Sequence, residues 1–319
     1  MATTHGIHTI DTGFVRPQFD AAYLIVENGR GAFIDCGTNH AVPRMLAALD
    51  EAGITAAEVD WLILTHVHLD HAGGAGELIA QLPNAKLVVH PRGARHMIDP
   101  SALWAGASAV YGEAVMEATY GRLRPIPPER VIEAPDSYVV DLAGRLLLCI
   151  DTPGHAKHHL TVYDERANVC FTGDVFGLSY REFDTANGPF ILPTTSPVQF
   201  DPEALHASIK RLVVLHPSGM YLTHYGRVEN VEKLAANLHQ QIDAMVALAR
   251  AADGDPDRHA VLVEALTGLY AGRAEAHGWT QGRDALTQLL HMDIELNAQG
   301  LAVWLDQSRR SFITPSDLL

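Results

Sequence analysis

Three histidines and an aspartate fall within six positions of the stretch "LTHVHLDHAGG": His66, His68, Asp70 and His71. They directly follow the apolar run "VDWLIL". Such groups are expensive to bury unless something pairs with them, and imidazole with carboxylate suits zinc or iron. Alternate residues of a strand share a face, so His66 and His68 point the same way. A loop leaving the strand turns Asp70 and His71 toward a neighbouring point. Ligands drawn from two places suggest two adjacent ions, and four ligands are too few for two. Three more candidates share one grammar further along the chain: an apolar run, a small turn, then a single polar residue. They are His155 in "DTPGHAKHH", Asp174 in "FTGDVFG" and His224 in "YLTHYG".

The order H-x-H-x-D-H, then His after "TPG", Asp after "TG" and His after a late strand resembles the metallo-β-lactamase superfamily. Within it, the chain is most similar to the glyoxalase II-like hydrolases and related lactonases. The resemblance spans about residues 8–230. It implies an α/β fold, an αβ/βα four-layer sandwich with the site at one edge where the strands end. Carried over by residue, it implies that His66, His68 and His155 hold one metal, that Asp70, His71 and His224 hold a second, and that Asp174 bridges them. The implied cofactors are two divalent ions, zinc first, with iron or manganese accepted by the same ligands. The implied activity is hydrolysis of an ester, thioester or lactone by a hydroxide held between the ions, since coordination lowers the pKa of water. Asp70 would also orient the nucleophile or carry its proton.

Other residues follow from the same resemblance. Asp35, in "FIDCG", matches the family's aspartate behind the histidine loop and is expected to accept a ligand N–H and fix its tautomer. His158 and His159 are expected behind the ligands or in packing. Tyr180 and Tyr225 are candidates to hydrogen-bond a developing oxyanion, the alternative being to cap a polar pocket wall. Arg181 and Arg227 could meet a substrate carboxylate, with surface ion pairs as the plainer expectation. The motif "THYG" departs from glyoxalase II, where glutamate and tyrosine follow the histidine, and that group's basic glutathione-binding residues are unmatched. Glutathione thioesters are therefore one candidate substrate among several. A second reading is a persulfide dioxygenase-like oxidoreductase, with one iron on His66, His155 and Asp174.

The elements that must position these residues alternate in type, as a layered α/β protein requires. "HTID", "AAYLIVE" and "GAFIDCG" read as strands, the last two joined by the turn "ENGRG". "AVPRMLAALDEAG" reads as a helix with Gly53 as its C-cap. "VDWLILT" and "AKLVVH" are strands flanking the helix "AGELIAQLP". An Ala- and Gly-rich helical insertion covers about residues 92–130. Strands resume with "YVVDLAGRLLLCIDT" and "HLTVYDERANVCFTGD" and, after a long loop, "GMYLTHYG". The pattern divides the chain into a catalytic domain, 1–228, and a C-terminal helical subdomain, 229–319, of about three helices. Met292 and Trp304 read as core residues of that appendage. The tail and the insertion are expected to shape the pocket, or the tail to form a homodimer interface.

A net charge of −15 with histidine neutral argues against nucleic acid and anionic membranes as partners and leaves a small-molecule substrate. Cys36, Cys149 and Cys170 lie in apolar, strand-like runs and read as buried thiols. No basic n-region, apolar h-region or long apolar span is present, so the expectation is a cytoplasmic protein.

Overall fold

A computed structural model describes residues 5–195 and 198–312. The first half of the chain builds one sheet from β1 (Ile7–Asp11), β2 (Ala21–Glu27), β3 (Arg30–Ile34), β4 (Val59–Ile63), β5 (Lys86–Val89) and β6 (Val131–Glu133), in that spatial order. The first three strands run antiparallel, and β3 to β6 are parallel. Between them lie α1 (Val42–Ala52), the single turn α2 (Leu69–Ala72), α3 (Ala75–Gln81), α4 (Pro91–Ile98), α5 (Ser101–Tyr111) and α6 (Glu113–Tyr120).

The second sheet holds β7 (Tyr138–Leu142), β8 (Arg145–Asp151), β9 (Leu160–Asp164), β10 (Val169–Gly173), β11 (Gly219–Leu222) and β12 (Gly226–Val228), ordered β12-β11-β10-β9-β8-β7. It is antiparallel except for the β10–β11 pair. Four helices accompany it: α7 (Pro202–Val213), α8 (Val231–Ala251), α9 (Arg258–Ala276) and α10 (Arg283–Phe312).

Period-two alternation within the strands explains the layers. In β2, Tyr23 and Ile25 enter the core between the sheets, whereas Ala22 and Leu24 enter the core beneath α1 and α3. In β10, Phe171 faces the other sheet and Cys170 faces the helices. The outer core of the second sheet is one continuous cluster that takes in α7, α8, α9 and α10, so the C-terminal helices are packed on the sandwich itself.

Several elements depart from the sequence reading. The long segment before β11 contains α7, started by Pro202 in its first turn and capped by Asp201, whose carboxylate accepts from Ala204 N at 3.0 Å. That is the expected N-terminal chemistry of a helix. The run "YVVDLAGRLLLCIDT" folds as the β7–β8 hairpin, because Ala143 and Gly144 both take positive φ (50° and 92°), as a two-residue hairpin turn requires. Strand β6 has no counterpart in that reading. Met292 is not a core residue: it is 42% exposed, while Trp304 packs half-buried against the outer core. Gly53 does close α1 in the left-handed region, and Cys36, Cys149 and Cys170 are buried free thiols. Among the described residues, no helix is long and apolar enough to cross a membrane.

Candidate metal centre

The apolar strand β4 ends at Ile63, and the chain then enters the loop that carries His66 and His68 before α2 supplies Asp70 and His71. Two backbone bonds join the sheets here: Leu160 N donates to Thr65 O (2.7 Å) and Ala21 N donates to Thr223 O (2.8 Å). The turn after β8 presents His155, the end of β10 presents Asp174, and the end of β11 presents His224. Two of these turns demand glycine. A Cβ on Gly173 would lie 2.6 Å from Thr65 Oγ1 and 2.7 Å from His159 Nε2. One on Gly154, at φ +132°, would lie 2.4 Å from the backbone of Leu205 in α7.

The fold thus brings all seven expected ligands together, in two groups able to hold a metal ion: His66, His68, His155 and Asp174, and then Asp70, His71 and His224. His66 Nε2 and His155 Nε2 lie 2.8 and 3.1 Å from His68 Nδ1. Asp174 faces both groups. Its Oδ2 is 3.3 Å from His155 Nε2, and its Oδ1 is 3.3 Å from His71 Nε2 and 3.7 Å from His224 Nε2. Asp70 Oδ2 lies 3.5 Å from His224 Nε2 and 3.8 Å from His71 Nε2. Asp70 is the most open of the acids, at 26% side-chain exposure against 6% for Asp174, so the centre opens to solvent on its side.

The opposite edge of three of the rings is held. His71 Nδ1 donates to Asp35 Oδ2 (2.9 Å), His155 Nδ1 to Thr194 O (3.3 Å) and His224 Nδ1 to Phe19 O (3.0 Å). These bonds fix the tautomers so that each Nε2 faces the centre. Asp35 also accepts from Thr65 N, Thr65 Oγ1 and Thr223 Oγ1 (2.8, 2.8 and 3.2 Å). His159 lies behind Asp174: its Nε2 accepts from Asp174 N (3.2 Å), and its Nδ1 meets Thr152 Oγ1 (3.0 Å).

Electrostatics separates the groups. Burial, reinforced by the neighbouring imidazoles, holds His66 and His68 well below the ordinary histidine range; burial also lowers His155. Burial thus favours the neutral form of these rings, whose lone pairs a metal ion would use. Burial works against charge on His71 and His224 too, but Asp174 and Asp70 outweigh it: His71 rises well above the usual value and His224 to about 10. The carboxylate field in this half therefore favours a cation. His71 Nε2 and Asp174 Oδ1 are buried with no hydrogen-bond partner. A buried polar atom in that state costs about 1–3 kcal/mol unless something else bonds it. The donor set fits divalent metal at both groups on those grounds.

Neither tyrosine hydroxyl hydrogen-bonds a candidate ligand. The Tyr180 hydroxyl donates to Asp293 Oδ1 of α10 (3.1 Å), and its ring stacks on Phe19. Tyr225 turns toward the core between the sheets, with Gln18 at its hydroxyl. Arg181 pairs with Asp184 (3.2 Å) and Arg227 with Glu229. His158 sits beside His68, and burial and His155 lower it to about 4. Residues that motif spacing did not reveal include Phe19 and Thr194, which act through backbone carbonyls and leave no side-chain signature. Asp293 and Asn297 belong to a helix far along the chain.

A model of the "Metallo-beta-lactamase superfamily" matches residues 15–224. The metallo-beta-lactamase fold-containing protein ST1585 of Sulfurisphaera tokodaii is 30% identical over 228 residues, 70% of this chain and 79% of that protein. A hydroxyacylglutathione hydrolase of Acidiphilium cryptum is 28% identical over 236 residues, 73% of this chain and 74% of that enzyme. The crystal structure of a metallo-beta-lactamase family protein from Thermus thermophilus, TTHA1429, superposes with a TM-score of 0.69 at 22% identity, covering 97% of this chain and 95% of that one. At that identity the likeness is one of fold.

Proposed function

Since the chain belongs to the metallo-beta-lactamase superfamily, we propose that it is a dinuclear metal-dependent hydrolase acting on an ester, thioester or lactone carbonyl of a small molecule. The observation that carries this reading is Asp174, whose two oxygens face the two ligand groups separately at 3.3 Å. His66, His68 and His155 would hold one divalent ion, Asp70, His71 and His224 the other, and Asp174 both. When bound, the ions supply Lewis acidity and a water whose lowered pKa makes it nucleophilic near neutral pH.

The chain's own residues do the rest. Asp70, the more open carboxylate, would orient the attacking water from its place beside His71 and His224. Asp35, Thr194 O and Phe19 O keep the imidazole edges oriented. A cavity of about 610 Å³ beyond Phe19 is lined by five apolar residues, Val15, Phe19, Ala285, Leu289 and Met292, and five polar ones, Arg16, Glu182, Gln281, Gln288 and His291. Phe19, whose ring meets that of His224 at 5.4 Å, separates this cavity from the ligands. The 28% identity to a hydroxyacylglutathione hydrolase supports hydrolysis of a thioester-class bond, and the net charge of −15 disfavours nucleic acid.

The test is elemental analysis of the purified protein combined with a panel of thioesters, lactones and phosphodiesters. Two divalent ions per chain are expected, with activity on acyl substrates that a chelator removes and added zinc restores. A single iron with oxygen uptake on a persulfide would overturn the reading in favour of the oxidoreductase.

A further inference from the structure

The superfamily match ends at residue 224, yet α10, which begins some sixty residues later, reaches back to the centre. One face of α10 is apolar and fully buried through Leu286, Leu290, Ile294, Ala298 and Leu301. Two polar residues interrupt it one turn apart, Asp293 and Asn297, at 8% and 1% exposure. Polar groups on a buried face are costly unless bonded, and both are bonded to segments that touch the candidate ligands.

Asn297 brackets the segment 193–195. Its Oδ1 accepts from Thr195 N (2.7 Å), and its Nδ2 donates to Pro193 O (3.3 Å) and to Tyr270 Oη (2.9 Å). The carbonyl held between those two anchors, Thr194 O, is the acceptor for His155 Nδ1. Asp293 begins a second arm. Its Oδ1 accepts from the Tyr180 hydroxyl (3.1 Å), and the Tyr180 ring lies stacked on Phe19, with centroids 5.1 Å apart and 16° between planes. The Arg16 guanidinium sits 4.6 Å from each of these rings and clamps the stack. Phe19 then presents its carbonyl to His224 Nδ1 (3.0 Å).

We infer that α10 is a two-armed clamp that sets one imidazole in each half of the centre: Asn297 orients His155, and Asp293 with Tyr180 orients His224. Both are positioning residues acting through a backbone carbonyl. The inference rests on the dinuclear reading above. It assigns to the C-terminal helix a role in metal affinity that is divided by half-site, which a helix serving only to cover the sheet would not have.

Cobalt(II) titration of chelator-stripped protein, followed by visible absorption, reads each half separately when the other is disabled. His71→Ala leaves the half containing His155, and His66→Ala leaves the half containing His224. Asn297→Ala is expected to weaken Co²⁺ about 10- to 100-fold in the His71→Ala background, the range typical for partners behind metal ligands. In the His66→Ala background it should change affinity less than about twofold, by the same reasoning. Asp293→Ala and Tyr180→Phe should show the reverse pattern. Asp293→Asn keeps an acceptor for the Tyr180 hydroxyl and should match the parent. Should Asn297→Ala fail to fold, Asn297→Asp keeps the acceptor for Thr195 N, and Tyr180→Phe, a mild change, decides the second arm alone. Equal weakening of both halves, or a lowered Tm with both affinities intact, would overturn the clamp and leave α10 as structural support. If the parent protein takes up only one Co²⁺, the dinuclear reading fails instead, and the half that binds still tests its own arm.

Discussion

The sandwich buries charge at both ends, and the two ends are built differently. Where β8 begins and β9 finishes, Arg145 lies 2% exposed. Its guanidinium donates to Asp164 Oδ2 (3.0 Å from Nε) and to His5 O (2.7 Å), with Glu27 3.6 Å away and shared with Arg166. Asp164 Oδ1 in turn accepts from Ala167 N (3.2 Å). At the other end of the same strands, beyond Asp151 and Leu160, imidazoles and carboxylates crowd together, and His71 Nε2 faces Asp174 Oδ1 at 3.3 Å without hydrogen-bond geometry. The first cluster is closed by hydrogen bonds within the chain. In the second, charged groups face one another at 3.3–3.8 Å, and His71 Nε2 and Asp174 Oδ1 make no hydrogen bond. Both ends are polar and buried, so burial does not separate a structural cluster from a reactive one. Completeness of hydrogen bonding distinguishes these two clusters.

Substitutions can break this contrast. The largest effect should come from Asp174→Ala, which removes the oxygens facing both ligand groups. Loss of bound metal and at least a roughly 1,000-fold fall in kcat/KM are expected together, with elemental analysis and acyl-substrate assays as the measurements. Full activity in that variant would sink the dinuclear assignment. At the closed end, Arg145→Met leaves Asp164 buried without its cation. Removing one partner of a buried pair costs about 3–5 kcal/mol, which urea denaturation will read. Metal content per folded molecule should be unchanged. Lost metal without lost stability would erase the distinction between the ends.

A subtler change lies between the two. Asp35 accepts four donors, from His71, Thr65 N, Thr65 Oγ1 and Thr223. It is a closed network whose purpose is to aim an open one. Asp35→Asn turns an amide NH₂ toward donors and frees the His71 ring to choose either tautomer. Metal affinity of the His71 half should fall by roughly 10- to 100-fold, while the other half keeps its affinity in a Zn²⁺ competition titration.

How far these features can be read from the sequence follows the range over which their causes act. His66, His68, Asp70 and His71 stand within six positions at a strand end, and the grammar repeats at His155, Asp174 and His224. Local pattern is enough to bring them forward as candidates. Strands β2, β3, β4 and β5 are legible for the same reason, their apolar runs being bounded by turn residues. Helix α7 escapes that reading although "DPEALHASIK" carries an N-cap and a proline in its first turn. Its short amphipathic stripe sits between irregular segments and is easily taken for loop. The tyrosines show the limit most clearly. Proximity in sequence to Asp174 and His224 suggests that Tyr180 and Tyr225 serve the centre, but the fold sends one hydroxyl to α10 and the other ring toward the inter-sheet core. Asp293 and Asn297 lie 69 and 73 residues beyond His224 in an ordinary helical pattern, and only tertiary packing gives them partners.

The smallest expected effect extends the contrast into the tail. Asp293 carries its own unbonded oxygen, Oδ2, so it belongs to the open end rather than the closed one. Burial pushes its carboxyl up from 3.8 to about 6, against the lowering influence of His224, the Tyr180 hydrogen bond and Arg16. Between about pH 4 and 6 the native state then binds a proton that the unfolded chain has released. Stability therefore falls as pH rises through that window and levels off above it. The full contribution is on the order of 3 kcal/mol. Asp293→Asn removes the titration while keeping the acceptor for Tyr180. In chelator-stripped protein its stability relative to wild type should rise by about that amount from pH 4 to pH 7, as measured by denaturant midpoints. Parallel profiles for the two proteins would mean that the carboxyl is fully partnered after all, and α10 would then have to be counted with the closed cluster around Arg145.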